Sequence, residues 1–350
     1  MKAMSAHMNN FNLIRLLAAL QVMVVHSIDH FGLSGPWLQA FKAIPGVPTF
    51  FLISGYLIGA SYQRTGPARM GQFFKNRFLR IYPGLWACVL VATAAMAATG
   101  YLGGKDVSAS HFGVWIAGQA SVVQFYNPGF MRQFGTGVLN GALWTIAVEL
   151  QFYVLVPVMF YLIKNRGSLF WMLFVVSLGF NLLLRLDPDN HTMGRKLLSV
   201  SFLPWVYMFM LGFLAAYYPL VVARIKAVPY VVWMASYMAS MCLIGTFKEN
   251  GSNAIHPLAV IILGAMILKF GTARIALPKS WERVLQQHDF SYGLYLYHMP
   301  AINILLYASL FSAGVNFAFA VSASLTAAVI SWFIVEQPAL RRKVATAVPS

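Results

Sequence analysis

Long apolar runs separated by short polar connections occupy almost the whole chain. They lie near residues 12–31, 44–62, 83–100, 140–163, 168–186, 197–218, 226–246, 254–270, 290–311 and 314–335. A helix rising 1.5 Å per residue needs about 20 apolar residues to cross a hydrocarbon core about 30 Å thick, so the pattern predicts about ten transmembrane helices and an all-α integral membrane protein. The 44–62 run contains Pro45, Gly46, Pro48 and Gly55. It is expected to be irregular, which a membrane tolerates only where protein covers the backbone or the backbone lines a cavity. Ahead of the third run, Phe74, Phe78, Ile81 and Leu85 are spaced i, i+4, i+7, i+11 among cationic residues. That stripe predicts one interfacial amphipathic helix before the third span.

Composition supports the same reading. Of 350 residues, 59% are hydrophobic and 10% charged, against roughly a quarter charged in soluble domains. The mean hydropathy is +0.67. A cytosolic enzyme, a secreted domain and a disordered chain are excluded, because too little polar surface remains to face water. The 25 Lys and Arg against nine Asp and Glu give a net charge of +16. The apolar content argues against nucleic acid as the partner. The excess cations fit cytoplasmic loops facing anionic lipid, and they also suit a polyanionic substrate such as a phosphorylated cofactor. With the N-terminus inside, 17 of the cations fall in cytoplasmic segments and seven on the opposite side. Both termini are therefore expected in the cytoplasm, and the connection near 101–139 is expected outside. The first run contains Arg15 and His26 and lacks a small-residue cleavage site after it, so it reads as a span rather than a cleaved signal. One transmembrane domain over 1–350, without a fused soluble domain or a fixed-period repeat, is expected. Cys88 and Cys242 sit in apolar runs and read as packing residues.

Ionisable groups inside spans are costly and are functional candidates. These are Arg15, His26, Asp29, Glu149, His298 and Glu336. Arg15 and His26, eleven residues apart, share one helix face about 16 Å apart along the axis. Arg15 also reads as a snorkelling anchor, and His26 as a satisfied interhelical hydrogen bond. Thr145, Glu149 and Tyr153 form an i, i+4, i+8 polar stripe. Counted from the span ends, Glu149 and His26 reach depths within about 5 Å of one another. A carboxylate there would orient the imidazole and stabilise its cation. Asp29, one turn from His26, is the rival partner. Arg77 and Arg80 are i, i+3 and offer two guanidinium forks on one face, suited to phosphate groups on a ligand or on lipid. Ser54-Gly55 reads as close helix packing or as a passage for a ligand chain. Tyr295 and Tyr297 beside His298 offer an aromatic lining. Glu336 reads as the partner of a cytoplasmic arginine.

In order along the chain stand Arg15 and His26, Phe50-Phe51 with Ser54-Gly55-Tyr56, and Arg77-Phe78-Leu79-Arg80-Ile81-Tyr82-Pro83. Leu143-Trp144-Thr145 follows with Glu149 and Phe152-Tyr153, then Ser291-Tyr292-Gly293-Leu294-Tyr295-Leu296-Tyr297-His298, and last Glu336-Gln337-Pro338. Together these resemble the membrane acyltransferase-3 family, the bacterial multi-pass acyltransferases that modify carbohydrates. The resemblance implies about ten spans in the bacterial cytoplasmic (inner) membrane. It implies an acyl donor, usually acetyl-CoA, and an acceptor hydroxyl on a surface, exported or lipid-linked glycan. It carries Arg77 and Arg80 over as coenzyme-binding arginines, and Arg15 with His26 as the first-span catalytic pair. Many relatives carry an extracytoplasmic hydrolase-like domain; none is expected here, which favours direct modification of the acceptor.

The expected mechanism puts the donor's nucleotide on Arg77 and Arg80 with Arg15 at the entrance. His26 is the general base toward a sugar hydroxyl, oriented by Glu149 or by Asp29. Ser54, Tyr153 and His298 are read as substrate-lining, and no metal is required. An acyl-His26 intermediate is the alternative route. A transporter or flippase would also use interrupted spans and buried His and Glu, and a haem protein would use His26 and His298 as axial ligands.

Overall fold

Each of the ten apolar runs contains a helix in the computed structural model. Residues 10–104, 107–187, 192–244, 253–273 and 278–343 are described, and among them there is no strand. The expected cytoplasmic ends, 1–9 and 344–350, and the cations Lys2, Lys105, Lys248 and Arg274 lie outside the described residues. The helices are α1 (Phe11–Phe31), α2 (Gly46–Thr65), α3 (Met70–Ala98), α4 (Ala109–Gln119), α5 (Trp144–Asn165), α6 (Gly167–Leu186), α7 (Met193–Ser199) and α8 (Val206–Tyr217). They continue as α9 (Pro219–Ala227), α10 (Tyr230–Ile244), α11 (Pro257–Gly271), α12 (Lys279–Gln287), α13 (Ser291–Ala308) and α14 (Ala313–Ser331). A π-helical turn, Trp332–Glu336, leads into α15 (Gln337–Arg341).

Among the described residues, six helices are long and apolar enough to cross a membrane. A seventh is reached if α8 and α9, which meet at 95°, are taken as one broken span. Two further apolar helices, α10 and α11, are only 15 residues long.

Two expectations about helix continuity are corrected. The run around Ser54 is not irregular: α2 is unbroken from Gly46 to Thr65. Gly46 is its first residue, and its free amide donates to Gln21 Oε1 at 2.8 Å; Pro48 sits in the first turn, where a missing N–H costs nothing. The segment ahead of the third span is not a separate interfacial helix either. It is the first half of α3, which carries Pro83 in its interior and runs on to Ala98. Of the predicted stripe, Ile81 and Leu85 are buried, Phe74 is half-buried and Phe78 is exposed, so only its later part packs fully on the bundle.

Glycine sets the closest helix contact. A Cβ at Gly55 would overlap the Phe209 carbonyl, and one at Gly212 would overlap the Leu52 carbonyl. α2 and α8 therefore touch backbone to backbone, as small residues permit.

α1 and α13 lie side by side in the same direction. Arg15 meets Asp289, which precedes α13, and His26 meets His298 within it. The two contacts are separated by eleven residues on α1 and nine on the other strand of chain, which locks the register of the pair. α5 runs the opposite way, and Thr145 meets the Tyr295 hydroxyl at 2.7 Å. The bundle thus has an arginine end and a histidine end. The long connection folds over the histidine end: Tyr101, Trp115, Met131 and Phe134 pack with Ala92 and Met96 as a small second core. Asn303 of α13 pins it, accepting from the Thr136 amide and donating to the Leu139 carbonyl.

Candidate active site

At the arginine end a cavity of about 340 Å³ opens between α1, α2, α3, α5 and the turn before α13. Its charged lining is Arg15, Arg64, Arg77, Arg80 and Lys343 against Glu149 and Asp289. Five cations face two acids, so the cavity has a net positive field.

Asp289 organises part of that field. Its Oδ2 accepts from Arg15 at 2.8 Å and from Arg80 at 2.5 Å. Its Oδ1 accepts from the Ser291 amide at 3.2 Å and from the Ser291 hydroxyl. Burial alone would raise the Asp289 carboxyl, but Arg15, Arg80 and Ser291 outweigh it and hold the group well below the usual carboxylate range. Arg77 is held differently. Its guanidinium carbon lies 6.0 Å from the Phe73 ring centre and 5.9 Å from that of Tyr153, and its Nε is buried without a hydrogen-bond partner among the described residues. A half-buried guanidinium held on aromatic faces, with its Nε short of an acceptor, is suited to an anionic ligand.

Glu149 lies at the inner wall of the same cavity. Its Oε1 accepts from the Tyr153 hydroxyl at 2.6 Å and from Ser54 Oγ at 3.3 Å. Beyond Arg15, Ser54 and Glu149 the space narrows to a void of about 30 Å³, walled by Phe50, Phe51 and Tyr295. Phe50 and Tyr295 meet edge to face at 5.5 Å and close its far side.

One turn past Tyr295 stands His298, fully buried. Its Nδ1 is 2.7 Å from the Tyr295 carbonyl oxygen. A carbonyl only accepts, so Nδ1 carries the proton and Nε2 of the neutral ring is an acceptor. His26 Nδ1 lies 3.0 Å from that Nε2, and must therefore donate to it. The lone pair of His26 is then left on Nε2, away from His298. The tautomers follow from the hydrogen-bond pattern alone. His26 itself is only partly buried.

The expected contact of Glu149 with His26 is not formed. Asn140 already lies inside the bundle, donating to the Leu296 carbonyl at 2.8 Å, and α5 begins only at Trp144. Depth counted from residue 140 therefore set Glu149 too near His26. From the Thr145–Tyr295 contact, Glu149 is one turn toward the arginine end and His298 one turn the other way, a separation of roughly 10 Å. Asp29 does not bond the ring either, since it pairs with Lys42 at 2.8 Å at the exposed end of α1. His298, expected to line the substrate, occupies the partner's position. Ser54 and Tyr153 lie on the cavity wall with Glu149, and Arg15, Arg77 and Arg80 all line the cavity. Glu336 is buried and accepts from Ser331 at 2.9 Å.

Asp289, Arg64 and Lys343 were not singled out from the sequence. Asp289 sits in the polar link just outside an apolar run, where an acid reads as solvated. Cys88 is buried in α3 and Cys242 is exposed on α10, both as free thiols. Among the described residues, no group of three or more His, Cys, Asp or Glu is placed to hold a metal ion.

Among the described residues the bundle is all-helical; its cationic cavity narrows to a small void, with the His26–His298 pair beyond Tyr295, which defines a multi-helix membrane protein with an enzyme-like site. The acyltransferase-3 family, described as an acyltransferase domain, matches residues 8–336; the chain belongs to this family and is an acyltransferase. It is 32% identical to Nodulation protein 10 of Rhizobium leguminosarum bv. viciae, over 96% of this chain and 94% of that protein. It is 26% identical to an O-acetyl transferase of Shigella phage Sf6, over 85% and 86% of the two chains. No solved structure matches it.

Proposed function

We propose that this protein is a membrane O-acyltransferase that moves an acetyl group from acetyl-CoA to a hydroxyl of a cell-surface or exported carbohydrate. The family and a relative named as an O-acetyl transferase support the reaction class. The ten apolar runs support ten spans, and the positive-inside bias supports both termini in the cytoplasm of a bacterial cytoplasmic membrane. The arginine end then faces the cytoplasm, where acyl-CoA is available.

The observation that carries the mechanism is the chain from the Tyr295 carbonyl through His298 to His26. It fixes the tautomer that leaves His26 Nε2 free as a base. A carboxylate would stabilise the imidazolium more strongly, but a neutral imidazole acceptor still orients the ring. His26 Nε2 takes the acceptor's hydroxyl proton as that oxygen attacks the thioester carbonyl. The C–S bond breaks, and the proton passes to the departing sulfur. His298 is a positioning residue here, and Asp29 belongs to the exposed mouth where an acceptor would arrive.

The donor's polyanionic head fits the cavity on two observations: five cations against two acids, and the unpartnered Arg77 Nε. Arg77 would take phosphate oxygens directly. Arg15 and Arg80, held convergent by Asp289, would add their remaining N–H groups. Ser54, Glu149 and Tyr153 would line the donor's path inward. Arg15 and His26 are about 16 Å apart along α1, a gap the donor's pantetheine arm bridges once Phe50 and Tyr295 move aside.

The test is thermal stability of the purified protein with and without acetyl-CoA. Wild type is expected to be stabilised, and Arg77→Ala to lose the stabilisation while keeping its own melting temperature. No stabilisation of wild type at any salt concentration would overturn the acyl-CoA reading.

A further inference from the structure

The cations of the arginine-end cavity are not equivalent. Arg15 and Arg80 share Asp289, and Arg77 rests on aromatic faces. Arg64 and Lys343 line the same cavity, and among the described residues neither has an acid within ion-pair distance. Arg64 is at the mouth. Ser54, Leu57, Ile58, Ser61 and Arg64 all line the cavity from α2, spaced i, i+3, i+4, i+7, i+10 on one helix face. That face measures the depth of the cavity: Ser54 marks the throat, and Arg64 lies about 15 Å farther out. Lys343 follows α15, which brings a second cation to the cavity from the far end of the chain. Lys343 lies outside the spans, and burial together with Arg77, Arg80 and Arg15 lowers its amine to about 7.

We infer that Arg64 and Lys343 form a second anion subsite that holds the ribose 3′-phosphate of the coenzyme, separate from the diphosphate contact at Arg77. This rests on the acyl-CoA reading above and deepens it. The order of groups along the coenzyme carries the inference. The thioester is at one end and must point through the throat at Ser54. The pantetheine arm follows, then the diphosphate, and the phosphorylated ribose is last. With the thioester inward, the last phosphate arrives at the mouth, where cations without acids wait. The subsite would make the enzyme select coenzyme A thioesters over carriers that present pantetheine with a single phosphodiester.

The test compares coenzyme A with 3′-dephospho-coenzyme A, binding each to the full-length protein in detergent by titration calorimetry. Wild type is expected to bind coenzyme A about tenfold or more tightly than the dephospho form, the scale of a charge-assisted contact. Arg64→Ala and Lys343→Ala should each lower affinity for coenzyme A, and the double variant should bind both ligands equally. Affinity for the dephospho form should stay at the wild-type value in every variant, which also shows that the variants are folded. Lys343→Arg should retain the preference. If wild type binds both ligands equally well, or the variants lose affinity for both alike, the 3′-phosphate subsite is wrong while the donor reading stands. If wild type binds neither ligand, the donor reading fails and the subsite with it.

Discussion

His26 donates its Nδ1 proton to Nε2 of His298 across 3.0 Å, because the Tyr295 carbonyl has already fixed the proton of His298 on Nδ1. The relationship predicts a split in kinetics. His298→Ala removes the acceptor and frees the His26 ring to turn and change tautomer. Turnover should fall about 10²-fold or more with the KM for the donor nearly unchanged. His298→Gln, whose amide oxygen can accept the same N–H, should recover part of the loss. Steady-state acyl transfer by the two variants checks both outcomes. A His298→Ala enzyme with normal turnover would remove the pair from the mechanism.

The Asp289 contacts predict a stability change. Asp289→Asn leaves Arg15 and Arg80 convergent and uncompensated in a buried site. Breaking such a pair costs about 3–5 kcal/mol, so thermal denaturation should show a large drop. The folded carboxyl titrates below its ordinary value, so its contribution is fully present above about pH 4. It is lost only as pH falls through the lower folded value. The gap between wild type and Asp289→Asn should therefore be constant from pH 8 to about pH 5.

The α2–α8 contact leaves no room for a side chain. Gly55→Ala would drive a methyl into the Phe209 carbonyl, and Gly212→Ala would do the same at Leu52. Neither neighbour is a flexible tip, so each change should cost about 3 kcal/mol or more, the upper range for overpacking. Gly71→Ala, where a Cβ meets nothing within 4 Å, is the control and should be neutral. Yield of folded protein in detergent and melting temperature distinguish the three.

Lys343 gives donor binding a pH dependence. Its amine is lowered from an ordinary value near 10.4 to about 7, by burial and by Arg77, Arg80 and Arg15 against the opposing effect of Asp289. Above pH 7 the free protein holds it neutral, and an anionic ligand draws a proton back onto it. Affinity for coenzyme A should fall as pH rises above about 7, with up to one proton taken up per ligand bound. For the unliganded protein the sign is reversed: a lowered lysine makes folding more favourable as pH rises from about 7 toward 10.4. Calorimetry in buffers of different ionisation enthalpy measures the uptake, and Lys343→Met should abolish it.

Much of the helical layout was legible because lipid demands long apolar runs and gives each a simple signature. The arginines were legible too, since i, i+3 spacing on a helix fixes their common side before any packing is known. Partnerships across helices were not. Glu149 was matched to His26 by depth, but depth depends on where α5 starts, and that start is set by Asn140 reaching into the bundle to the Leu296 carbonyl. His298 was visible as a mid-span histidine, yet its contact with His26 depends on the parallel register of α1 and α13. Asp289 fixes that register at the arginine end and lies in a short polar link that carries no periodic signal. Helix continuity was misread where proline and glycine stood near a beginning, as at Pro48, and where the amphipathic stripe ahead of the third span runs on into one long helix, α3.

The most direct measurement of the central claim is acetyl transfer from labelled acetyl-CoA to a panel of soluble pyranoside acceptors, by wild type and His26→Ala reconstituted in liposomes. The account predicts labelled ester with wild type. It predicts a fall of about 10²–10⁴-fold in His26→Ala, with acetyl-CoA binding and melting temperature unchanged. Wild-type turnover in a folded His26→Ala protein would contradict it.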